Sequence, residues 1–73
     1  MSRATEIKKY YREIKQLPII DSFSENGYKN ELRGNDSFLV IITYNQENKI
    51  EETNSTNIYS REELLNMFES WKV

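Results

Sequence analysis

An Asn26-Gly27 dipeptide is the feature that most constrains how this 73-residue chain can fold. Both residues tolerate positive φ angles, which a type I′ turn requires at its two central positions. The dipeptide therefore predicts a β-hairpin that pairs Ile19–Glu25 with Tyr28–Arg33. In that register one face of the hairpin carries four apolar side chains, namely Ile19, Phe23, Tyr28 and Leu32. The alternative is that Tyr28–Arg33 forms a loop or a short helical turn.

The clearest strand in the sequence is Ser37–Tyr44, because its residues are mostly β-branched or aromatic. Alternate residues of a strand point to opposite faces. One row consists of Phe38, Val40, Ile42 and Tyr44, and the other consists of Leu39, Ile41 and Thr43. Both rows are largely apolar, which is typical of a strand covered on both sides. Lys49–Thr53 follows as a charged strand that suits a sheet edge.

Two helices flank the predicted strands. The segment Ser2–Leu17 has apolar residues at helical spacing, its first residue serves as the N-cap, and Pro18 ends it. Ser60 and Glu63 form a capping box at the start of a second helix, which runs to about Lys72.

The predicted fold class is α+β, over residues 1–73 as a single small domain. An N-terminal helix, a four-stranded antiparallel β-meander and a C-terminal helix form a two-layer α/β sandwich, with one or both helices packed on the sheet. If the segment after the Asn26-Gly27 turn is a loop, the sheet has three strands instead of four.

Composition argues against catalysis. The chain has no cysteine and no histidine, so it lacks a thiolate nucleophile, the commonest general base and the commonest metal ligand. Nothing in the sequence assembles a nucleophile, a base and an orienting group. We therefore expect a protein that is not an enzyme and that has neither a cofactor nor a metal site. The longest apolar run, Phe38–Ile42, is far too short for a membrane span, and no secretory signal is visible, so a cytoplasmic location is expected.

A second apolar row on the central strand is the candidate protein-binding surface. If the first row packs in the core, Leu39, Ile41 and Thr43 lie on the opposite face among polar neighbours, and Tyr44 and Glu51 lie at the border. An exposed apolar patch with a polar rim marks an interaction site. On this hypothesis Ile41→Lys leaves the monomer folded and abolishes association. The alternative is that one helix covers each face of the sheet, which would bury this row.

The expected function is therefore that of a small non-enzymatic protein-binding module, an inhibitor or adaptor. A chain this small has a thin core, so burial of more apolar area on a protein partner, or on a second copy in a homodimer, stabilises it. Its richness in Asn, Ile and Lys is typical of phages and mobile elements of AT-rich bacteria, some of whose small proteins occlude a host protein surface.

Nucleic-acid binding is the alternative function. Residues 1–17 carry five basic and two acidic side chains, whereas the rest of the chain is acidic. Lys8, Arg12 and Lys15 form a basic ridge on the first helix beside Tyr11, an arrangement that suits phosphate contact and base stacking. The net charge of the whole chain, -2, counts against this interpretation.

Overall fold

The computed structural model describes residues 3–72, which form a helix, four strands and a second helix. In chain order the elements are α1 (Arg3–Lys15), β1 (Ile19–Glu25), β2 (Tyr28–Gly34), β3 (Leu39–Tyr44), β4 (Ile50–Ser55) and α2 (Arg61–Trp71). The strands make one antiparallel sheet in the order β1-β2-β3-β4. The α+β class and the order of elements are confirmed. The predicted N-cap Ser2 lies outside the described residues.

The β1–β2 hairpin has the predicted turn and a bulge that the sequence did not reveal. Asn26 and Gly27 have φ angles of 53° and 83°, as a type I′ turn requires. The register then shifts between Ile19 and Asp21, so that Ile19 pairs with Arg33. A bulge moves the residues beyond it to the other face of the strand. The predicted place of Ile19 on the apolar face is therefore wrong, and its side chain is half-exposed.

The central strand β3 is buried on both faces, each beneath a different helix. Leu39 and Ile41 pack with Leu64 and Phe68 of α2. The alternate row, which comprises Val40, Ile42 and Tyr44, packs with Ile14 of α1. The helices therefore lie on opposite faces of the sheet. Helix, sheet and helix form three layers, one more than the expected two-layer sandwich.

Helix α2 is fixed at both of its ends. At its start, the Ser60 hydroxyl accepts a hydrogen bond from the Glu63 amide, and the Glu63 carboxylate accepts one from the Ser60 amide, each at 3.1 Å. The predicted capping box is therefore confirmed. Near its end, the Lys72 ammonium pairs with Asp21 of β1. The hydrogen bond from Lys72 lowers the pKa of Asp21, and the same bond raises the pKa of Lys72.

Helix α1 is held by a buried ion pair on the opposite face. The Glu31 side chain is 4% exposed and lies 2.9 Å from Arg33 Nε and 3.2 Å from Lys29 Nζ. Arg33 Nη1 in turn donates to the carbonyl oxygens of Lys15 at 2.7 Å and Leu17 at 2.9 Å. The Lys15 carbonyl is at the C-terminal end of the helix, where cationic side chains are favoured, and the Leu17 carbonyl lies two residues beyond it. One guanidinium thus joins the last turn of α1 to the buried carboxylate.

Burial and hydrogen bonding shift the pKa of Glu31 in opposite directions. Burial by itself would raise the pKa of Glu31, but hydrogen bonds from Arg33, Lys29 and Tyr44 outweigh it and lower the pKa of Glu31 overall. The pKa of the neighbouring Tyr44 phenol shifts upward instead. Burial, together with the adjacent Glu31 carboxylate, raises the pKa of Tyr44 to about 12. The site therefore favours an ionised Glu31 beside a neutral Tyr44.

Ionisation of Glu31 should make the protein sensitive to acid. Because the folded-state pKa of Glu31 lies below its ordinary value of 4.5, the charged carboxylate stabilises the fold above that pH, and the stabilisation is lost as the pH falls through the folded-state pKa. Glu31→Gln should lower the free energy of unfolding at neutral pH by about 3 kcal/mol, since it leaves Arg33 without its anion. The variant should then lose less stability than the parent on acidification.

Urea unfolding at neutral and acidic pH measures this effect, and Glu13→Gln, at an exposed position of α1, is the matched control. A parent and a Glu31→Gln variant that lose equal stability on acidification would contradict the role given to the ion pair.

Complete burial of Ile41 overturns the expectation that its replacement by lysine is tolerated. The side chain is 0% exposed beneath α2. Ile41→Lys places an ammonium group in an apolar core, where its desolvation is not compensated. We expect the cooperative thermal transition, followed by circular dichroism, to disappear. Ile41→Val should keep the transition at a cost of about 1 kcal/mol. A variant with lysine that melts near the parental temperature would show that the row is not core.

Candidate protein-binding groove

Helix α2 leaves part of its own sheet face uncovered. Its buried residues lie over the segment of β3 that contains Leu39 and Ile41. A second row of residues lies on the same face of the sheet, closer to the hairpin turns. It crosses all four strands, because neighbouring strands pair at Phe23, Asn30, Thr43 and Glu52 in that order. Above this row lies an open groove of about 370 Å³. We call it the acidic aromatic groove, and it is lined by Phe23, Glu25, Asn26, Tyr28, Asn30, Thr43, Glu52 and Trp71.

The floor of the groove is polar and fixed. Thr43 Oγ1 donates to Asn30 Oδ1 at 2.7 Å. Asn30 is 8% exposed, so this bond satisfies an otherwise buried carbonyl oxygen. Because the Thr43 hydroxyl proton is used in this bond, the lone pairs of the oxygen remain available as acceptors. The groove therefore offers a ligand a hydrogen-bond acceptor on a rigid strand.

Aromatic side chains from two layers border this floor. Phe23 packs edge-on against Phe68 of α2, with ring centroids 5.1 Å apart. Tyr28 is 42% exposed beside the hairpin turn, and Trp71 is half-buried at the end of α2. Aromatic rings that are held by a core and partly open to solvent suit the contact residues of a binding site.

Two carboxylates give the groove its negative charge. Glu25 stands opposite Tyr28 in the hairpin, and Glu52 lies on β4. Both side chains are exposed, and none of the groove-lining residues carries a positive charge. Neither glutamate takes part in an ion pair among residues 3–72. Their charges are therefore available to a ligand.

Of the five predicted protein-binding residues, only Thr43 lies in this groove. Leu39 and Ile41 are fully buried under α2, so the hypothesis that they form an exposed patch is wrong. The alternative, with one helix on each face, describes the fold. The physical reason is that α2 covers this row while α1 covers the other.

The two predicted border residues lie elsewhere. Tyr44 points to the α1 face and is 5% exposed, so it belongs to the core. Glu51 is exposed in the β4 bulge, where its carboxylate accepts a hydrogen bond from Asn45 Nδ2 at 3.1 Å. It lines a separate polar hollow at the hairpin ends, together with Tyr28, Asn45, Gln46 and Glu47.

A second groove collects most of the predicted nucleic-acid-binding residues. Lys8, Tyr11 and Lys15 of α1 line a hollow of about 490 Å³ against the end of the β3–β4 hairpin. We call it the basic groove, and its other lining residues are Ile7, Asn48, Lys49 and Ile50. Arg12 is exposed and lies outside this lining. Lys49 was not among the expected residues, and it adds a third positive charge from a different element.

The sequence contained part of the signal for the acidic aromatic groove. Phe23 and Tyr28 were expected on one face of the hairpin, as observed. What the sequence did not reveal is that β3 presents Thr43, rather than Phe38 or Val40, to that same face. Trp71 was missed as a site residue because its helical spacing with Phe68 is also typical of core packing.

Comparison of the chain with protein-family models, with curated proteins and with solved structures finds no match. Within residues 3–72, no group of three or more acidic side chains is placed to hold a metal ion. In the same part of the chain, neither helix has the length and apolar character needed to cross a membrane.

Proposed function

We propose that this protein is a small non-enzymatic protein-binding module, an inhibitor or adaptor that occludes a partner's surface through the acidic aromatic groove. The observation that carries the proposal is the end of α2 at Trp71, which leaves the row from Phe23 to Glu52 open on an otherwise covered sheet face. This row replaces the buried Leu39 and Ile41 as the proposed contact surface.

The composition of the groove supports a protein ligand. Tyrosine and tryptophan are enriched at the centres of protein interfaces, and a polar rim usually surrounds them. Here Tyr28 and Trp71 supply the aromatic surface, and Glu25 and Glu52 supply the rim. The volume of about 370 Å³ is at the small end of the range for ligand pockets, roughly 300–1,000 Å³, and it suits one or two side chains of a partner.

The chemistry of the groove supports binding rather than catalysis. Glu25 is on β1 and Glu52 is on β4, the two edge strands of the sheet. The chain has neither histidine, the commonest general base, nor cysteine, a strong nucleophile, to act with either carboxylate.

The proposal also includes an origin in a phage or mobile element, a host protein as the target, and a cytoplasmic location. The first two follow from the composition, which is rich in Asn, Ile and Lys, and the third follows from the short apolar runs of the sequence. The alternative partner is a second copy of the chain, which would form a homodimer through the same groove.

Removal of the aromatic border should weaken partner capture. The variant Tyr28→Ala/Trp71→Ala, immobilised as bait, should bind its partner about thirtyfold more weakly than the parent, since interface aromatics contribute about 2 kcal/mol or more. Quantitative mass spectrometry of captured proteins measures this, with circular dichroism to check folding. Ile58→Ala is the control, because Ile58 is 81% exposed and lies outside both grooves. Equal capture by parent and double variant would contradict the proposal.

Nucleic-acid binding at the basic groove is the second candidate. The observation that favours it is the meeting of Lys8, Lys15 and Lys49 around Tyr11. Three ammonium groups beside an aromatic ring suit a single strand whose phosphates pair with lysine while a base stacks on tyrosine. Lys15 also lies 5.7 Å from the centre of the Tyr44 ring, which holds its side chain against the sheet.

The basic groove should bind a single-stranded oligonucleotide with an affinity that falls as salt rises, by about 0.7 logarithmic units per phosphate contact for each tenfold rise in salt concentration. Fluorescence anisotropy measures this. Lys8→Gln/Lys49→Gln should abolish binding, whereas Lys9→Gln/Arg12→Gln, which removes the same charge from exposed positions outside the groove, should retain it. No binding at low salt, or equal loss in the two variants, would exclude this candidate.

A further inference from the structure

The acidic aromatic groove combines two carboxylates with aromatic rings, and this combination favours one class of side chain on a partner. We propose that it binds an arginine side chain of the partner. This inference rests on the proposed function, since it names the partner's chemistry at the same groove. The occupant follows from charge complementarity, because Glu25 and Glu52 make the groove negative and its lining has no positive charge.

Aromatic rings and carboxylates together favour a guanidinium group. A guanidinium stacks on tryptophan and tyrosine faces through both cation–π attraction and planar contact, and it donates paired hydrogen bonds to a carboxylate. Trp71 and Tyr28 offer the rings, and Glu25 lies opposite Tyr28 across the hairpin. A phosphate or an acidic peptide would be repelled by the same two carboxylates.

The floor supplies the remaining hydrogen-bond acceptor. Thr43 Oγ1 donates its proton to Asn30, so the oxygen presents lone pairs to the groove. A guanidinium has five N–H donors and no acceptor, which matches the two carboxylates that line the groove. Glu25 and Glu52 come from the two edge strands, so a guanidinium that pairs with one of them also lies in the negative potential of the other.

The chain's own fluorescence makes the proposal testable without a known partner. Trp71 is the only tryptophan in the sequence, and it borders the groove. The probe is the blocked tripeptide acetyl-Gly-Arg-Gly-amide, and the same peptide with glutamine in place of arginine is the control. We expect a saturable change in Trp71 emission with the arginine peptide alone, and weaker binding of the corresponding lysine peptide.

Charge removal inside and outside the groove separates specific binding from general attraction. Glu25→Gln/Glu52→Gln should weaken binding of the arginine peptide at least tenfold, which corresponds to about 1.4 kcal/mol. Glu13→Gln/Glu62→Gln removes the same charge from exposed helix positions and should bind like the parent. An equal response to the glutamine peptide, equal binding of the lysine peptide, or equal weakening in both double variants overturns the proposal, as does no response at the solubility limit.

The outcome also separates this inference from the proposed function. If partner capture depends on Tyr28 and Trp71 but is unchanged in Glu25→Gln/Glu52→Gln, the protein-binding function stands and the arginine assignment is wrong. If the arginine peptide binds but partner capture does not depend on the two aromatic residues, the groove binds a cationic side chain and the proposed function is wrong.

Discussion

The rest of the structure depends on the burial of β3 on both of its faces. Leu39 and Ile41 on one side, and Val40 and Ile42 on the other, are all 0% exposed. A strand with two apolar faces needs a cover on each, and this chain supplies one helix for each. The requirement explains why so small a protein has three layers. It also leaves no apolar side chain of β3 free to contact a partner.

The two helices cover their faces in different ways. Helix α2 is held through its capping box, its apolar side chains and the Lys72–Asp21 ion pair. The α1 face of β2 is charged, so α1 depends on Arg33, which links the Glu31 carboxylate to the last turn of the helix. Removal of either member of a buried ion pair leaves an uncompensated charge. The α1 face is therefore the more sensitive of the two to pH.

The length of α2 decides where the protein is open. Its eleven residues span about 16 Å. The helix covers the Leu39 and Ile41 end of β3 and stops before the Thr43 row. The uncovered part is aromatic and acidic on this face, whereas the hollow beside α1 is lined by lysines. The α2 face is thus negative and the α1 face positive near the hairpin ends. The first suits the proposed protein partner, and the second suits a nucleic acid.

Features that depend on neighbours in sequence were predictable, and features that depend on distant contacts were not. The Asn26-Gly27 turn and the Ser60 capping box each follow from a few adjacent residues, and the structure contains both. No residue type in β1 indicates the bulge after Ile19, so the predicted face of Ile19 was wrong. The β2–β3 register decides which row of β3 faces α2. The composition of the short Gly34–Asp36 segment does not specify that register.

Helix α2 covers Leu39 and Ile41, and it leaves Thr43 and Trp71 partly exposed. Solvent paramagnetic relaxation enhancement, measured by NMR on methyl-labelled protein with a soluble spin agent, tests this arrangement most directly. We expect strong broadening of the Thr43 methyl and the Trp71 indole signals, whereas the methyl signals of Leu39 and Ile41 should be protected. Protection of Thr43 and Trp71, or broadening of Ile41, would contradict this arrangement.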